Sequence, residues 1–227
     1  SLDEKFLKGV IIKGHTNELH VGQSEEELLS RTMRDNKSAS TFNTPSELTW
    51  NIKENLFYLV PKITEWLTGY DGRMSNSEFR QKTFDINIFE KDEYGPQYCQ
   101  GLTTDLELRE TNVAKLVLAR NLDLYSQDGM FFFYVKTVYP DINHEQSRSL
   151  NRNLREEAKD FFDNGILVDG VRKRLPELKR GYWAFKLAGC KPFTITNFDN
   201  DKVVVPYNIN GIKFSATFTS GSEGYFA

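Results

Sequence analysis

The sequence predicts an α+β chain, on three observations. Leu48, Ile52, Leu56, Leu59, Ile63 and Trp66 recur every three or four residues, which is the period of a helix with one buried face. From Phe84 the period drops to two: Phe84, Ile86 and Ile88 alternate with polar residues, as in a half-buried strand. After Pro140 a polar helical stretch precedes a last run of strands. Helices and strands therefore come in separate runs rather than in regular alternation. The 227 residues suit one large domain or a domain with an extension. The change of character after Pro140 divides them into residues 1–141 and residues 142–227, the latter a helix followed by three strands.

The first predicted helix opens at Ser24, with Glu27 three residues on, the Ser-x-x-Glu capping box. Leu28 and Leu29 face the core, and Arg31 rides on the same helix. Ser38–Asn43 is polar, with Phe42 as an anchor. Thr44 caps the long helix, Pro45 suits its first turn, Pro61 is a site for a kink and Gly69 ends it. Tyr70–Asn76 reads as a loop and Gly101–Thr111 as an excursion. Val113–Ala119 and Phe131–Tyr139 are the strongest strands, joined through Ser126-Gln127-Asp128-Gly129, a hairpin signal. Ser147–Phe162 reads as a polar, basic-edged helix, and Val171–Lys179 as a shorter one limited by Pro176. Phe193–Phe198, Val203–Asn208 and Ile212–Thr219 read as strands. Asn210-Gly211 supplies a type I′ turn between the last two.

Composition narrows the function classes. An apolar share of 39% with 13% aromatic residues is enough for a core. A net charge of −3 argues against a strongly basic nucleic-acid binder. The charge is uneven, however. Residues 142–227 hold 13 Lys/Arg against 10 Asp/Glu, and residues 1–141 hold 16 against 22. The basic excess between Arg148 and Lys186 is either a solvated helix face or an electrostatic guide for phosphate. Two cysteines, Cys99 and Cys190, are too few for a disulfide framework and lack zinc spacing; they are one bridge or two buried thiols. No run is long and apolar enough to span a membrane, and no signal peptide is visible.

Two of the three histidines, His15 and His20, stand five residues apart in Gly14-His15-Thr16-Asn17-Glu18-Leu19-His20-Val21-Gly22. Imidazole titrates near neutrality and can both take and give a proton. Alone, this pair reads as structural before it reads as catalytic. Its spacing is not that of a helical zinc site. Arg31 could present a planar fork to a phosphate or form a surface ion pair with Glu27 or Asp35. Thr137 and Tyr139 share one strand face, with their hydroxyls converging if that face lines a cleft; strict alternation puts Lys136 and Val138 on the other side. No serine-hydrolase elbow, phosphate-binding loop or paired-aspartate nuclease pattern is present.

Taken together in order, these residues resemble the bacterial ribonuclease A-like toxin domain found at the C-termini of contact-dependent growth inhibition proteins and other polymorphic toxins. The matching residues are His15-Thr16, His20-Val21-Gly22, Ser24, Leu28 and Arg31. They continue with Ser40-Thr41-Phe42, Ile63-Thr64-Glu65-Trp66-Leu67-Thr68-Gly69, Leu116-Val117-Leu118 and Thr137-Val138-Tyr139-Pro140, so that the set covers about residues 13–140. The resemblance implies a kidney-shaped α+β fold, with N-terminal helices packed on a twisted, mainly antiparallel sheet. It implies metal-independent, cofactor-free cleavage of RNA through a 2′,3′-cyclic phosphate. His20 would be general base or acid, Arg31 would neutralise the phosphoryl centre, and Thr137 and Tyr139 would hold the phosphate. His15 would be the second acid/base partner or would orient the loop.

The implied partners are RNA and a cognate immunity protein. The implied destination is secretion or delivery into a target-cell cytoplasm; outside a toxin role it would be the cytoplasm. The family pattern ends near Pro140, and 87 residues follow. This tail could extend the sheet, form a small second domain, bind RNA or cover the cleft. Two other readings stand beside the ribonuclease: a catalytically silent RNA- or protein-binding module of the same fold, and a prophage or surface structural protein with incidental histidines. The last of these requires His20 to lie far from Thr137 and Tyr139.

Overall fold

The structure is a computed structural model that describes residues 20–69, 75–93, 95–120, 133–189, 202–209 and 212–219. It is α+β, as predicted, and divides into two compact units. One comprises residues 1–28 and 38–152, the other residues 29–37 and 153–227.

The first unit is built on two antiparallel sheets. Helix α1 (Glu25–Asp35) starts in this unit. The Ser24 backbone N–H donates to Glu27 Oε2 at 2.7 Å, and the Glu27 N–H donates to Ser24 Oγ at 3.3 Å, forming the expected capping box. Helix α2 (Pro45–Thr68) begins where Thr44 Oγ1 accepts from the Glu47 N–H and ends at Gly69, whose N–H donates to Glu65 O. Pro61 sits inside it. The buried side chains of α2 are the apolar series read from the sequence, together with Asn51 and Leu67.

A short helix α3 (Asn76–Arg80) leads into β2 (Gln81–Asn87), and the three-stranded sheet runs in the order β2, β5 (Val113–Arg120), β6 (Phe133–Pro140). Its core face carries Phe84 and Ile86 from β2, and Ala114, Leu116 and Leu118 from β5. These pack with Leu48, Ile52, Leu56, Leu59, Ile63 and Trp66 of α2. The second sheet runs in the order β1 (Ala39–Ser40), β3 (Cys99–Leu102), β4 (Glu107–Thr111), β7 (Arg148–Asn153). Gly101 is required where β1 meets β3, because a Cβ there would stand 2.8 Å from Ala39 O and 2.7 Å from Ile142 Cγ2.

Asn51 is the polar exception in the core. It is fully buried; Nδ2 donates to Glu47 O and Phe89 O at 3.0 and 3.1 Å, and Oδ1 accepts from the Phe89 N–H at 2.9 Å. It thereby completes the backbone pairing of Phe89 just beyond β2. Asn51→Ala strands both Phe89 groups in an apolar setting and is expected to lower stability by about 1–3 kcal/mol, measured as the denaturant midpoint at unchanged m-value. An unchanged midpoint would mean that water replaces the amide without penalty.

Two expectations about secondary-structure elements fail in the first unit. Gly101–Thr111 is no excursion: β3 and β4 form a hairpin pairing Cys99 with Thr111 through Leu102 with Leu108. Arg148–Asn153, read as the start of a helix, is the strand β7. Its side chains are exposed or half-buried, so it has no apolar alternation by which to recognise it. Cys99 is a free, buried thiol, and burial pushes its pKa up to about 12. Cys190, Phe193–Phe198, and the Ser126–Gly129 and Asn210–Gly211 turns lie outside the described residues.

The second unit surrounds Trp183. Residues 29–37, which include the later turns of α1, join α4 (Arg155–Asn164), the hairpin β8 (Ile166–Val168) and β9 (Val171–Lys173), α5 (Glu177–Leu187), and the hairpin β10 (Lys202–Ile209) and β11 (Ile212–Thr219). Trp183 is fully buried, and its indole N–H donates to Met33 O at 2.8 Å and to Asn36 Oδ1 at 3.0 Å. The predicted helix over Val171–Lys179 is a correction: Val171–Lys173 is a strand, and Pro176 stands before the first turn of α5 rather than stopping a helix. Proline suits that position because the first helical N–H groups have no internal partner.

Candidate active site

The Ser40-Thr41-Phe42 segment holds His20 in place. The Phe42 N–H donates to His20 O at 2.6 Å and the Gly22 N–H donates to Phe42 O at 2.8 Å, making a short parallel bridge between Val21 and Phe42. Gly22 has φ +65°, in the left-handed region where a side chain is strained. Thr41 Oγ1 accepts from the Gln23 N–H at 3.0 Å. Phe42 is itself fully buried in the core. The histidine backbone is thus stitched to an anchored segment although its own side chain is only half-buried.

The same segment reaches the far end of the chain. Ser40 Oγ donates to Pro140 O at 2.7 Å in a buried bond across 100 residues of sequence. This bond fixes the end of β6 beside His20. The imidazole of His20 lies against the phenol of Tyr139, with ring centroids 5.7 Å apart and planes tilted by 32°. His20 Nδ1 is 3.3 Å from Ser40 O. A carbonyl oxygen only accepts, so Nδ1 carries the hydrogen in this contact, and in the neutral ring the lone pair falls on Nε2.

Tyr139 is half-buried on the sheet face turned away from the core, and Thr137 is half-buried with it. The register sets Tyr139 opposite Lys115 and Thr137 opposite Val117; Asp85 of β2 lies opposite Lys115 on its other side. Lys115 Nζ donates to Asp85 Oδ1 and lies 3.6 Å from Asp141 Oδ2. Both carboxylates hold the Lys115 pKa above its ordinary value, the hydrogen bond to Asp85 most strongly. Burial pushes the Tyr139 phenol up; Asp141 and Asp85 add to this, and Lys115 opposes it. A raised phenol pKa keeps Tyr139 protonated through neutral pH, so that it can donate a hydrogen bond to an anionic oxygen.

Of the residues singled out in the sequence, His20 and Tyr139 therefore meet in the first unit, and Thr137 lies on the same strand and sheet face as Tyr139. Arg31 lies on α1 in the segment 29–37, which belongs to the second unit, and is half-buried there. His15 lies outside the described residues. The residues that sequence reasoning missed are Lys115, Asp85, Asp141 and Lys136. Alternation along β2 and β5 could have placed Asp85 and Lys115 on a face opposite the core. Only the strand order and register show that this is the face of Tyr139.

Lys136 is the clearest correction. Strict alternation put it on the opposite face from Thr137. The pairing of β5 with β6 shifts between Val117 and Leu118: Val117 pairs with Thr137, and Leu118 with Val135. Lys136 is left over as a β-bulge. Core membership changes parity across it, from Phe133 and Val135 to Val138, so Lys136 and Thr137 both lie off the core face. Lys136 Nζ donates to Gln81 Oε1 at 2.7 Å.

The geometry can be set beside known proteins. No curated protein matches the chain. Among solved structures, the crystal structure of a CdiA-CT/CdiI complex from Y. kristensenii 33638 is similar, at 22% identity over 53% of this chain and 93% of that one, with a TM-score of 0.39. The family described as the bacterial CdiA-CT RNase A domain matches residues 14–140, more than half of the chain. That span begins at Gly14, the first residue of the two-histidine stretch, and closes on Pro140, which Ser40 binds. The chain belongs to the family of bacterial CdiA-CT RNase A domains, ribonuclease toxins of contact-dependent growth inhibition.

Proposed function

We propose that the chain is an endoribonuclease that cleaves RNA by transphosphorylation without a metal ion. The observation that carries this reading is the meeting of the His20 imidazole and the Tyr139 phenol on the strand that also presents Thr137. His20 Nε2 takes the proton of a 2′-hydroxyl. The 2′-oxygen then forms its bond to phosphorus as the bond from phosphorus to the 5′-oxygen breaks, leaving a 2′,3′-cyclic phosphate. The departing 5′-oxygen takes up a proton, for which Tyr139 and His15 are the candidate donors. The hydroxyls of Thr137 and Tyr139 donate to the non-bridging oxygens, where negative charge builds up. By its place in the family motif, Arg31 is assigned the charge of the phosphoryl centre. Residues 1–141 make up the catalytic module and residues 142–227 an extension to it.

The structural-protein reading required His20 to be distant from Tyr139, and the ring contact of 5.7 Å counts against it. The biological role that fits is a toxin delivered into target cells and held in check by a cognate immunity protein. The test is incubation of purified chain with RNA in excess EDTA, followed by analysis of the product ends. Cleavage with cyclic-phosphate or 3′-phosphate ends is expected. Activity that disappears with EDTA and returns with a divalent cation would overturn the metal-independent mechanism. RNA binding with no cleavage in either condition would leave the silent binding module as the correct reading.

A further inference from the structure

We propose that Lys136, turned by the β-bulge onto the face of Thr137 and Tyr139, is a second phosphate subsite that grips the RNA strand beyond the bond being cut. The inference rests on the ribonuclease reading of that face. Regular alternation would have sent the Lys136 side chain toward the core, where Val135 and Val138 are buried. The extra residue in β6 lets both valines reach the core while the lysine stays exposed between them.

Where the ammonium goes is set by its partner. Gln81 pairs with Ala119 across β2 and β5, so Lys136 reaches across the sheet to the end of β2 remote from Asp85. Gln81 alternates with Thr83 and Asp85, and these positions lie off the core face. Along β5 the step from Lys115, opposite Tyr139, to Ala119, opposite Gln81, is four residues. At a rise of about 3.3 Å per residue this is roughly 13 Å. A phosphate held at the Gln81 row is therefore distinct from one held at Tyr139, with the Thr83, Val117 and Thr137 row between them.

The charge balance separates Lys136 from Lys115. Lys115 is held by two carboxylates and is neutralised in place. Lys136 is held by a neutral amide, and among the described residues no carboxylate pairs with it. Its positive charge is thus available to an anion, and Gln81 orients it without cancelling it. An ammonium is a compact point charge with three rotatable donors, suited to a phosphate whose exact orientation does not matter for chemistry. Such a site adds binding and register, not bond cleavage.

The test uses the full chain and two probes. The first is a non-cleavable 2′-O-methyl hexanucleotide, whose Kd is followed against salt concentration for wild type and Lys136→Ala. Loss of one phosphate contact on a single strand should make the slope of log K against log salt shallower by about 0.7, with weaker binding at low salt. Lys136→Arg should restore both. The second probe is the ratio of kcat/KM on a tetranucleotide to that on a dinucleoside monophosphate, which carries no second phosphate. Lys136→Ala should lower this ratio, and should raise KM on the tetranucleotide more than it lowers kcat. An unchanged slope together with an unchanged ratio overturns the subsite. Equal losses on both substrates would overturn it too, pointing instead to a catalytic or structural role. If wild type cleaves neither substrate, the ribonuclease reading falls. The hexanucleotide slope still decides the subsite: dependence on Lys136 keeps it as a binding feature, and no dependence or no binding removes it.

Discussion

RNA cleavage by a His20→Ala variant is expected to fall by about 10²–10⁴-fold, the range for loss of a general acid or base. Ser40 O fixes the hydrogen on Nδ1, so proton acceptance falls to Nε2, and the ring is already positioned against Tyr139. Alanine removes the proton acceptor and leaves the backbone bonds to Phe42 untouched, because these use the His20 carbonyl and the Gly22 N–H. The far-ultraviolet circular dichroism and the thermal midpoint should therefore stay close to wild type while cleavage collapses. A variant with His20→Asn should behave in the same way, since an amide neither takes nor gives a proton at neutral pH. Full activity in both variants would remove His20 from the mechanism. Loss of activity together with loss of fold in His20→Ala but not in His20→Asn would make it a packing residue.

The parts of the fold legible in the sequence are those where one local rule acts alone. The capping box at Ser24, the cap at Thr44 and the stop at Gly69 are each set by a hydrogen bond between near neighbours. The apolar period of α2 survives because its buried face meets one sheet. The β3–β4 hairpin stayed hidden because its turn puts a leucine, Leu106, at φ +65°, where glycine or asparagine would have signalled it. That turn is held instead by Thr103, whose N–H donates to Glu107 O and whose hydroxyl accepts from the Glu107 N–H. The candidate site divides in the same way. His20, Thr137 and Tyr139 could be named from a motif spread over the chain. The Lys115 pair with Asp85 and Asp141, and the turn of Lys136, depend on register and on one unpaired residue in β6, and no local pattern encodes these.

Arg120→Met is expected to cost about 3–5 kcal/mol, the largest effect on stability anticipated for a residue outside the candidate site. Arg120 is a charged side chain only 6% exposed. Its Nε donates to Phe79 O at 2.7 Å, Nη2 to Trp66 O at 2.8 Å, and Nη1 to Leu67 O at 3.2 Å. The guanidinium also lies over the rings of Phe79 and Trp66, 4.3 and 5.1 Å from their centroids. Trp66 and Leu67 are in the last turn of α2, where carbonyls lack helical partners and the dipole is negative, and α2 supplies no basic residue of its own there. An arginine from the end of β5 meets that need and ties helix to sheet. Methionine keeps much of the volume but removes the donors to the buried carbonyls of Trp66 and Leu67 and to the half-buried carbonyl of Phe79. Lysine offers a single ammonium in place of the planar fork and should recover only part of the loss. For a domain of this size the melting midpoint should drop by roughly 10 °C or more. Cleavage measured well below that midpoint should keep its kcat, because Arg120 acts on the folded fraction rather than on the reacting phosphate. A melting curve for Arg120→Met that overlays wild type would show that water reaches these carbonyls and that the buried charge contributes nothing net.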